Sequence, residues 1–437
     1  MKRVYFASFL IYIIWSAFLV ALLASTPVTL MYITPKFSSI DINNLMEASL
    51  LVLLLSVLNP VKLDNPFYLF FIGANFFIVI PLITFRFCTS QYDTELIDQT
   101  LSVILLGLFL SRTIALLPYL TTSTKYSPRS EFIEQKLRVI SNIFAIISVV
   151  VIAISALSFG IASLKLDYQT IYIQRLNLRN IVKEGSFLGY ALNNVEQLLL
   201  PSLFVFGLYL KNWKVVFVSV SATFVYVSFS GSRSTIAMLV LMTVIYLFHG
   251  NVFNVKIIKS ILVMTFSLFC TLTYFFRNTE TGNIVYDLIL RTVVVPGVGS
   301  IKYVEFFNSF GTTDFKQSRI IANLFNESPI PVTYILGKLF FNNSLQNFSS
   351  NIWCDALISA GILGVILVSI SLGLVLLIIR ILLTNQPKVL VYPIYGYVTL
   401  NFVEQSFLTA FLSSGFALSI LLAYYLRTQR TRVDKSM

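Results

Sequence analysis

Apolar residues run in long blocks, each close to the roughly 20 residues a helix needs to cross a hydrocarbon core of about 30 Å. Twelve blocks can be read, at 5–27, 45–61, 66–85, 99–120, 139–163, 186–210, 213–229, 234–250, 257–276, 353–379, 389–406 and 408–426. The alternation in segments of about ten residues that marks a β-barrel is missing. The pattern predicts an all-α, polytopic membrane protein of twelve transmembrane helices, a single integral domain over 1–437. The first block follows Met1-Lys2-Arg3 and outruns the roughly 7–15 apolar residues of a secretory signal, so it reads as a retained helix.

Composition agrees. Apolar residues make up 57% and charged residues 11% of 437, with a mean hydropathy of +0.83. A soluble domain carries roughly 25% charged residues. The net charge of +12 needs no nucleic acid to explain it, because lysine and arginine concentrate where cytoplasmic loops are expected. With the N-terminus inside, those loops hold Lys62, Lys125, Arg129, Lys136, Arg138, Lys211, Lys214, Lys256, Lys259, Arg380 and Lys388, and the basic tail after Arg427 is also inside. The short outside loops hold Lys36, Arg86 and Arg233. Both termini are thus expected in the cytoplasm.

Two external loops break this charge rule. The smaller, 164–185, carries Lys165, Arg175, Arg179 and Lys183; the larger, 277–352, carries Arg277, Arg291, Lys302, Lys316, Arg319 and Lys338. Loops this long are usually functional or disordered. The larger one is too aromatic for disorder, with Tyr303, Phe306, Phe307 and Phe310, and short helices against the outer face are expected. Its arginines suit anionic lipid headgroups or plain solvent. They equally suit an anionic substrate such as a pyrophosphate, whose oxygens match the guanidinium fork. The turn Ser230-Gly231-Ser232-Arg233-Ser234 opens a helix, where a phosphate is favourably placed; an ordinary reverse turn is the alternative.

If a hydroxyl displaces a pyrophosphate, charge develops on the leaving group and fixed arginines stabilise it. Arg233, Arg277 and Arg291 are the candidates, assisted by Arg175 and Arg179, with Ser232 as a hydroxyl donor. A general base for the attacking hydroxyl must be a carboxylate, because the sole histidine, His249, lies at the cytoplasmic end of its block. Asp355 and Glu305 rank first, ahead of Glu196, Glu404 and Asp314. Glu196 and Glu404 lie within blocks, where ionisable groups are functional or ion-paired. No histidine, cysteine or carboxylate spacing suggests a metal, and Cys88, Cys270 and Cys354 form no disulfide framework. No cofactor is expected.

The turn Ser230–Ser234 resembles an element of the O-antigen and capsule repeat-unit polymerases, the Wzy-type family. So does Arg291-Thr-Val-Val-Val-Pro296-Gly297 with Tyr303 and Phe306-Phe307, and so does Asn351-Ile-Trp-Cys-Asp355 before Gly361-Ile-Leu-Gly364. The R-x10-G spacing found in some members is not reproduced: Gly185 falls one residue early after Arg175, and Lys302 stands where a glycine would follow Arg291.

The resemblance implies a class C glycosyltransferase-like fold in a bacterial inner membrane, with the active site at the periplasmic face. It implies transfer of a growing glycan from undecaprenyl pyrophosphate to the non-reducing end of an undecaprenyl-pyrophosphate-linked repeat unit, without a metal. Membrane lipids, a chain-length regulator and a flippase of the same pathway are the implied partners. Two alternatives share the helix count: a lipid-linked oligosaccharide flippase and an O-antigen ligase. The first is expected to show two-fold repeats and no long external loop, the second a histidine in that loop.

Overall fold

The computed structural model describes residues 2–24, 37–40, 42–58, 68–89, 92–117, 130–159, 186–230, 232, 234–248, 290, 293–341, 348, 350–383, 386–401, 403 and 405–426. Among them the regular structure is helical: α1 (Lys2–Ala24), α2 (Ile42–Leu58), α3 (Tyr68–Cys88), α4 (Thr94–Ala115), α5 (Ser130–Phe159), α6 (Phe187–Tyr209), α7 (Trp213–Ser230) and α8 (Ser234–Phe248). Then come α9 (Val295–Phe310), α10 (Arg319–Leu324), α11 (Val332–Phe341), α12 (Ile352–Leu383), α13 (Lys388–Asn401), α14 (Phe407–Ser413) and α15 (Phe416–Leu426). Eleven of the apolar blocks fall on these helices; the block at 257–276 lies outside the described residues. Among the described residues seven helices are long and apolar enough to cross a membrane, or eight if α14 and α15, bent by 52° at their break, form one span. The chain is a multi-pass membrane protein.

The residues group into two compact units. The first comprises Met1–Leu116, Gly250–Val375 and Leu400–Leu408; the second comprises Leu117–His249, Leu376–Thr399 and Thr409–Met437. In the first, α1, α2 and α3 pack on one another, and α9 packs on α3 and α4. In the second, α5, α6 and α7 pack around Leu192, Val195, Leu199, Tyr226 and Phe229. The opposite face of α5 leaves Ile143, Ile146, Val150 and Ile154 exposed, as a helix facing lipid does.

Each unit holds a span interrupted in the same way. Proline lacks an N–H and its ring presses on the carbonyl four residues back. Before Pro81 and before Pro201 the helix widens to a π-turn, Asn75–Val79 in α3 and Val195–Leu199 in α6. Ile80 N–H donates to Asn75 O and Leu200 N–H to Val195 O, one residue further back than in an α-helix. In α3 the wide turn is held by α1: Trp15 Nε1 donates to Phe76 O at 2.8 Å and Asn75 Nδ2 to Tyr12 Oη at 2.8 Å.

The described part of the large loop folds as short helices, as expected, and the first of them, α9, packs on the spans α3 and α4. A Cβ on Gly297 of α9 would lie 3.0 Å from Phe85 and 3.2 Å from Pro81, inside α3. Residues 352–383 are two helices across a break at Ala360 and Gly361, where Gly361 has φ +64°. The arm 352–359 folds back on 362–383, so that a Cβ on Gly364 would meet Ala356 O at 2.2 Å. The tip of the hairpin is held by Thr313 N–H donating to Ile358 O (2.8 Å) and Phe315 N–H to Ser359 O (3.1 Å).

Trp353, at the start of the short arm, is wholly buried against Phe70, with ring centroids 5.8 Å apart, and against Gly107 of α4. Gly107 is about 20 Å along α4 from Thr94 at 1.5 Å per residue, so the arm reaches deep between spans. A Cβ on Gly107 would lie 2.0 Å from Trp353 Cδ1. Gly107→Ala is therefore expected to destabilise the purified protein by about 1–3 kcal/mol. Adding Trp353→Phe, which shortens the ring, should recover part of that loss in thermal unfolding. An unchanged midpoint for Gly107→Ala alone would refute the contact.

Candidate functional site

In the first unit, polar groups gather where α9 meets the short arm of α12. Asn351 is 1% exposed. Its Oδ1 accepts from Trp353 N–H and Cys354 N–H, both at 3.0 Å, capping the arm. Its Nδ2 donates to Ser300 Oγ at 2.6 Å, and Ser300 Oγ donates back to Pro296 O at 2.7 Å. Tyr303 Oη donates to Phe348 O at 3.2 Å. The Pro296-Gly297 segment and the Asn351–Asp355 segment, far apart in sequence, are thereby tied together by one buried amide.

Asp355 lies one turn beyond this cap and is half-buried. Gln317 stands over it: its side chain bonds the Asp355 carboxylate, and its Nε2 lies 3.4 Å from Asp355 O. Gln317 also bonds Ser359 Oγ and Thr313 Oγ1. Glu305 is otherwise engaged. Its Oε2 is 2.8 Å from Lys302 Nζ, one turn back, and Lys302 also lies over the Tyr92 ring at 5.2 Å. Burial, and then the Glu305 charge, push the Tyr92 phenol up to about 12, so it stays a neutral donor. Asp314 sits in an exposed turn with φ 53°, its Oδ1 accepting from Thr312 Oγ1 at 3.1 Å.

Beside this cluster the first unit opens into a polar cleft of about 810 Å³ between α2, α3, α4, α9 and the tip of α12. Arg86 is its anchor. The guanidinium takes Asp98 in a fork, Nε to Oδ1 at 2.7 Å and Nη2 to Oδ2 at 3.2 Å, and Nη1 lies 2.6 Å from Glu47 Oε2. Across the cleft Asn308 Nδ2 donates to Gln99 Oε1 at 2.9 Å, linking α9 to α4.

The second unit holds a buried carboxylate, 7% exposed, on the π-turn of α6. Glu196 accepts from Tyr226 Oη (2.7 Å), Ser232 Oγ (2.5 Å) and Thr235 Oγ1 (2.8 Å). The π-turn shifts the side-chain phase of α6, and the Ser230–Ser234 turn brings the Ser232 hydroxyl onto it, with Thr235 following in α8. Ser230 Oγ accepts from Ser232 N–H at 3.1 Å, closing the turn. Two residues singled out separately in sequence, Glu196 and Ser232, are therefore partners, and the Ser232 hydroxyl is spent on a carboxylate.

Arg175, Arg179, Arg233, Arg277, Arg291, Glu404 and His249 lie outside the described residues. Cys88 and Cys354 are buried free thiols. Sequence reasoning passed over Glu47, Arg86 and Asp98. The signal was there in part: Glu47 falls inside an apolar block, where an ionisable group is costly. Comparison with protein-family models, with curated proteins and with solved structures gave no match.

Proposed function

We propose that the chain is a membrane glycosyltransferase that polymerises lipid-linked oligosaccharide repeat units. It would transfer the growing glycan from undecaprenyl pyrophosphate to an incoming repeat unit at the periplasmic face of a bacterial inner membrane. In this reading twelve spans place both termini in the cytoplasm. The observation that supports it best is the Asn351 knot. Two of the three family-like segments meet there, and the junction holds Asp355 beside Gln317 and Tyr303.

The chemistry follows from that placement. A sugar hydroxyl of the incoming unit attacks the anomeric carbon as the carbon–pyrophosphate bond breaks. Asp355 takes the hydroxyl proton, and arginines from the external loops, Arg291 and Arg233 first, hold the departing pyrophosphate. Asp355 is preferred over Glu305 because a lysine ammonium occupies Glu305 Oε2 at 2.8 Å.

Asp355→Asn keeps the shape and the bond to Gln317 and removes the base. Chain extension in membranes is expected to fall at least 10²-fold, as loss of a general base does, with an unchanged thermal midpoint. Full extension by the amide variant would remove Asp355 from the mechanism. In a deletion strain, surface polysaccharide capped with a single repeat is expected; total loss would favour the flippase or ligase.

A further inference from the structure

The cleft at Arg86 has a chemistry opposite to that of an anion site. Among the described residues three carboxylates, Glu47, Glu95 and Asp98, line it against one cation, Arg86. That cation is engaged by two of the carboxylates, at 2.6 and 2.7 Å. A pyrophosphate entering the cleft meets net negative charge. Uncharged hydroxyls meet acceptors instead, and hydrogen bonds to a charged acceptor are roughly twice as strong as neutral ones.

The rest of the lining fits an amphipathic polyol. The Asn308–Gln99 pair supplies donors and acceptors, with Gln99 Nε2 also 3.4 Å from Glu95 Oε1. Ser102 and Thr94 add hydroxyls, while Phe307 and Ile362 give an apolar wall for a sugar's C–H face. The volume, about 810 Å³, lies within the roughly 300–1,000 Å³ of small-molecule sites.

We propose that this cleft is a saccharide subsite that holds an uncharged or amino sugar of the lipid-linked substrate through its hydroxyls and rejects the pyrophosphate end. The proposal rests on the saccharide-transfer reading above and adds which part of the substrate goes where.

Glu95 and Gln99 are exposed, so the double variant Glu95→Gln/Gln99→Ala is expected to fold. The test is saturation-transfer NMR on the full chain in detergent. The probes are N-acetylglucosamine, glucosamine, glucose, galactose, rhamnose, inorganic pyrophosphate and calcium ion. At least one sugar should give a signal that falls fivefold or more in the double variant and that pyrophosphate does not compete away. No sugar signal, or an equal signal in the variant, overturns the proposal. Loss of the sugar signal on adding calcium at micromolar concentration would make the cleft a cation site and overturn it as well. The two readings fail separately. A deletion strain with full-length chains, alongside variant-sensitive sugar binding, sinks the polymerase and keeps the subsite. Single-repeat chains alongside variant-insensitive binding do the reverse.

Discussion

Gly364→Ala is expected to spring the hairpin of α12 open. Its new methyl would be built 2.2 Å from the carbonyl oxygen of Ala356. That obstacle is backbone in the facing arm, so no rotamer change relieves it, and the arm itself has to move. Overpacking against a side chain costs about 1–3 kcal/mol, occasionally more; against a fixed carbonyl the loss should exceed about 3 kcal/mol. Displacing the arm also uncaps Asn351 and unseats Trp353, so the effect spreads to α4 and α9. The readout is Cys354, buried in the arm two residues before Ala356. In a chain lacking Cys88 and Cys270, a membrane-impermeant maleimide should label Cys354 slowly in the parent and much faster in Gly364→Ala. Gly361→Ala is the control. Its φ of +64° strains an L-residue, yet the space around its Cβ holds nothing nearer than 3.9 Å. About 1–3 kcal/mol of local strain is expected there, with less labelling. Equal labelling in parent and Gly364→Ala would refute the close packing of the arms.

The second large effect is expected at Glu196. Replacing it with alanine strips the acceptor from Tyr226, Ser232 and Thr235 at once. Hydrogen bonds to a charged group are each worth about 1.5–3 kcal/mol, and Thr235 keeps a second acceptor in Ser232 O at 3.1 Å. These terms are not additive, and a total loss of about 3–5 kcal/mol is expected in thermal unfolding. Glu196→Gln should cost far less, about 1 kcal/mol, because its carbonyl oxygen still accepts and a hydroxyl can turn to accept from the amide nitrogen. The pair of variants separates two roles. If the carboxylate only locks the Ser230–Ser234 turn, the glutamine variant keeps both stability and chain extension. If its charge acts on substrate or on a neighbouring cation, the glutamine variant keeps stability and loses extension.

The helices were legible because hydropathy blocks carry length directly. What hydropathy lacks is direction. The stretch 353–379 reads as one apolar run, with Gly361 and Gly364 inside it. A reversal between two apolar arms leaves each arm apolar, so no window registers it. The start of α5 was missed for the opposite reason. Glu131, Glu134, Lys136 and Arg138 lower the hydropathy, yet the helix runs on from Ser130. Lys136 is held there by Tyr425, Nζ donating to its carbonyl at 2.7 Å. Pro81 and Pro201 lie inside the blocks 66–85 and 186–210, and hydropathy gives no sign of the π-turn that precedes each.

The candidate site was legible residue by residue and illegible as a geometry. Asp355, Glu305, Glu196 and Ser232 were each singled out. That Glu305 belongs to Lys302, Glu196 to Ser232 and Asp355 to Gln317 depends on side-chain reach, and for the last two on contacts across 36 and 38 positions. Glu47, Arg86 and Asp98 come from three different helices, and no local pattern joins them.

The short arm of α12 also has a bearing on how the protein is made. Eight residues of helix cover about 12 Å, far less than the roughly 20 residues that mark a segment for lateral release into lipid. The arm therefore has no means of entering the bilayer by itself during synthesis. It can settle only after α3 and α4 have formed the slot that receives Trp353, which makes seating this arm a late step in the assembly of the first unit.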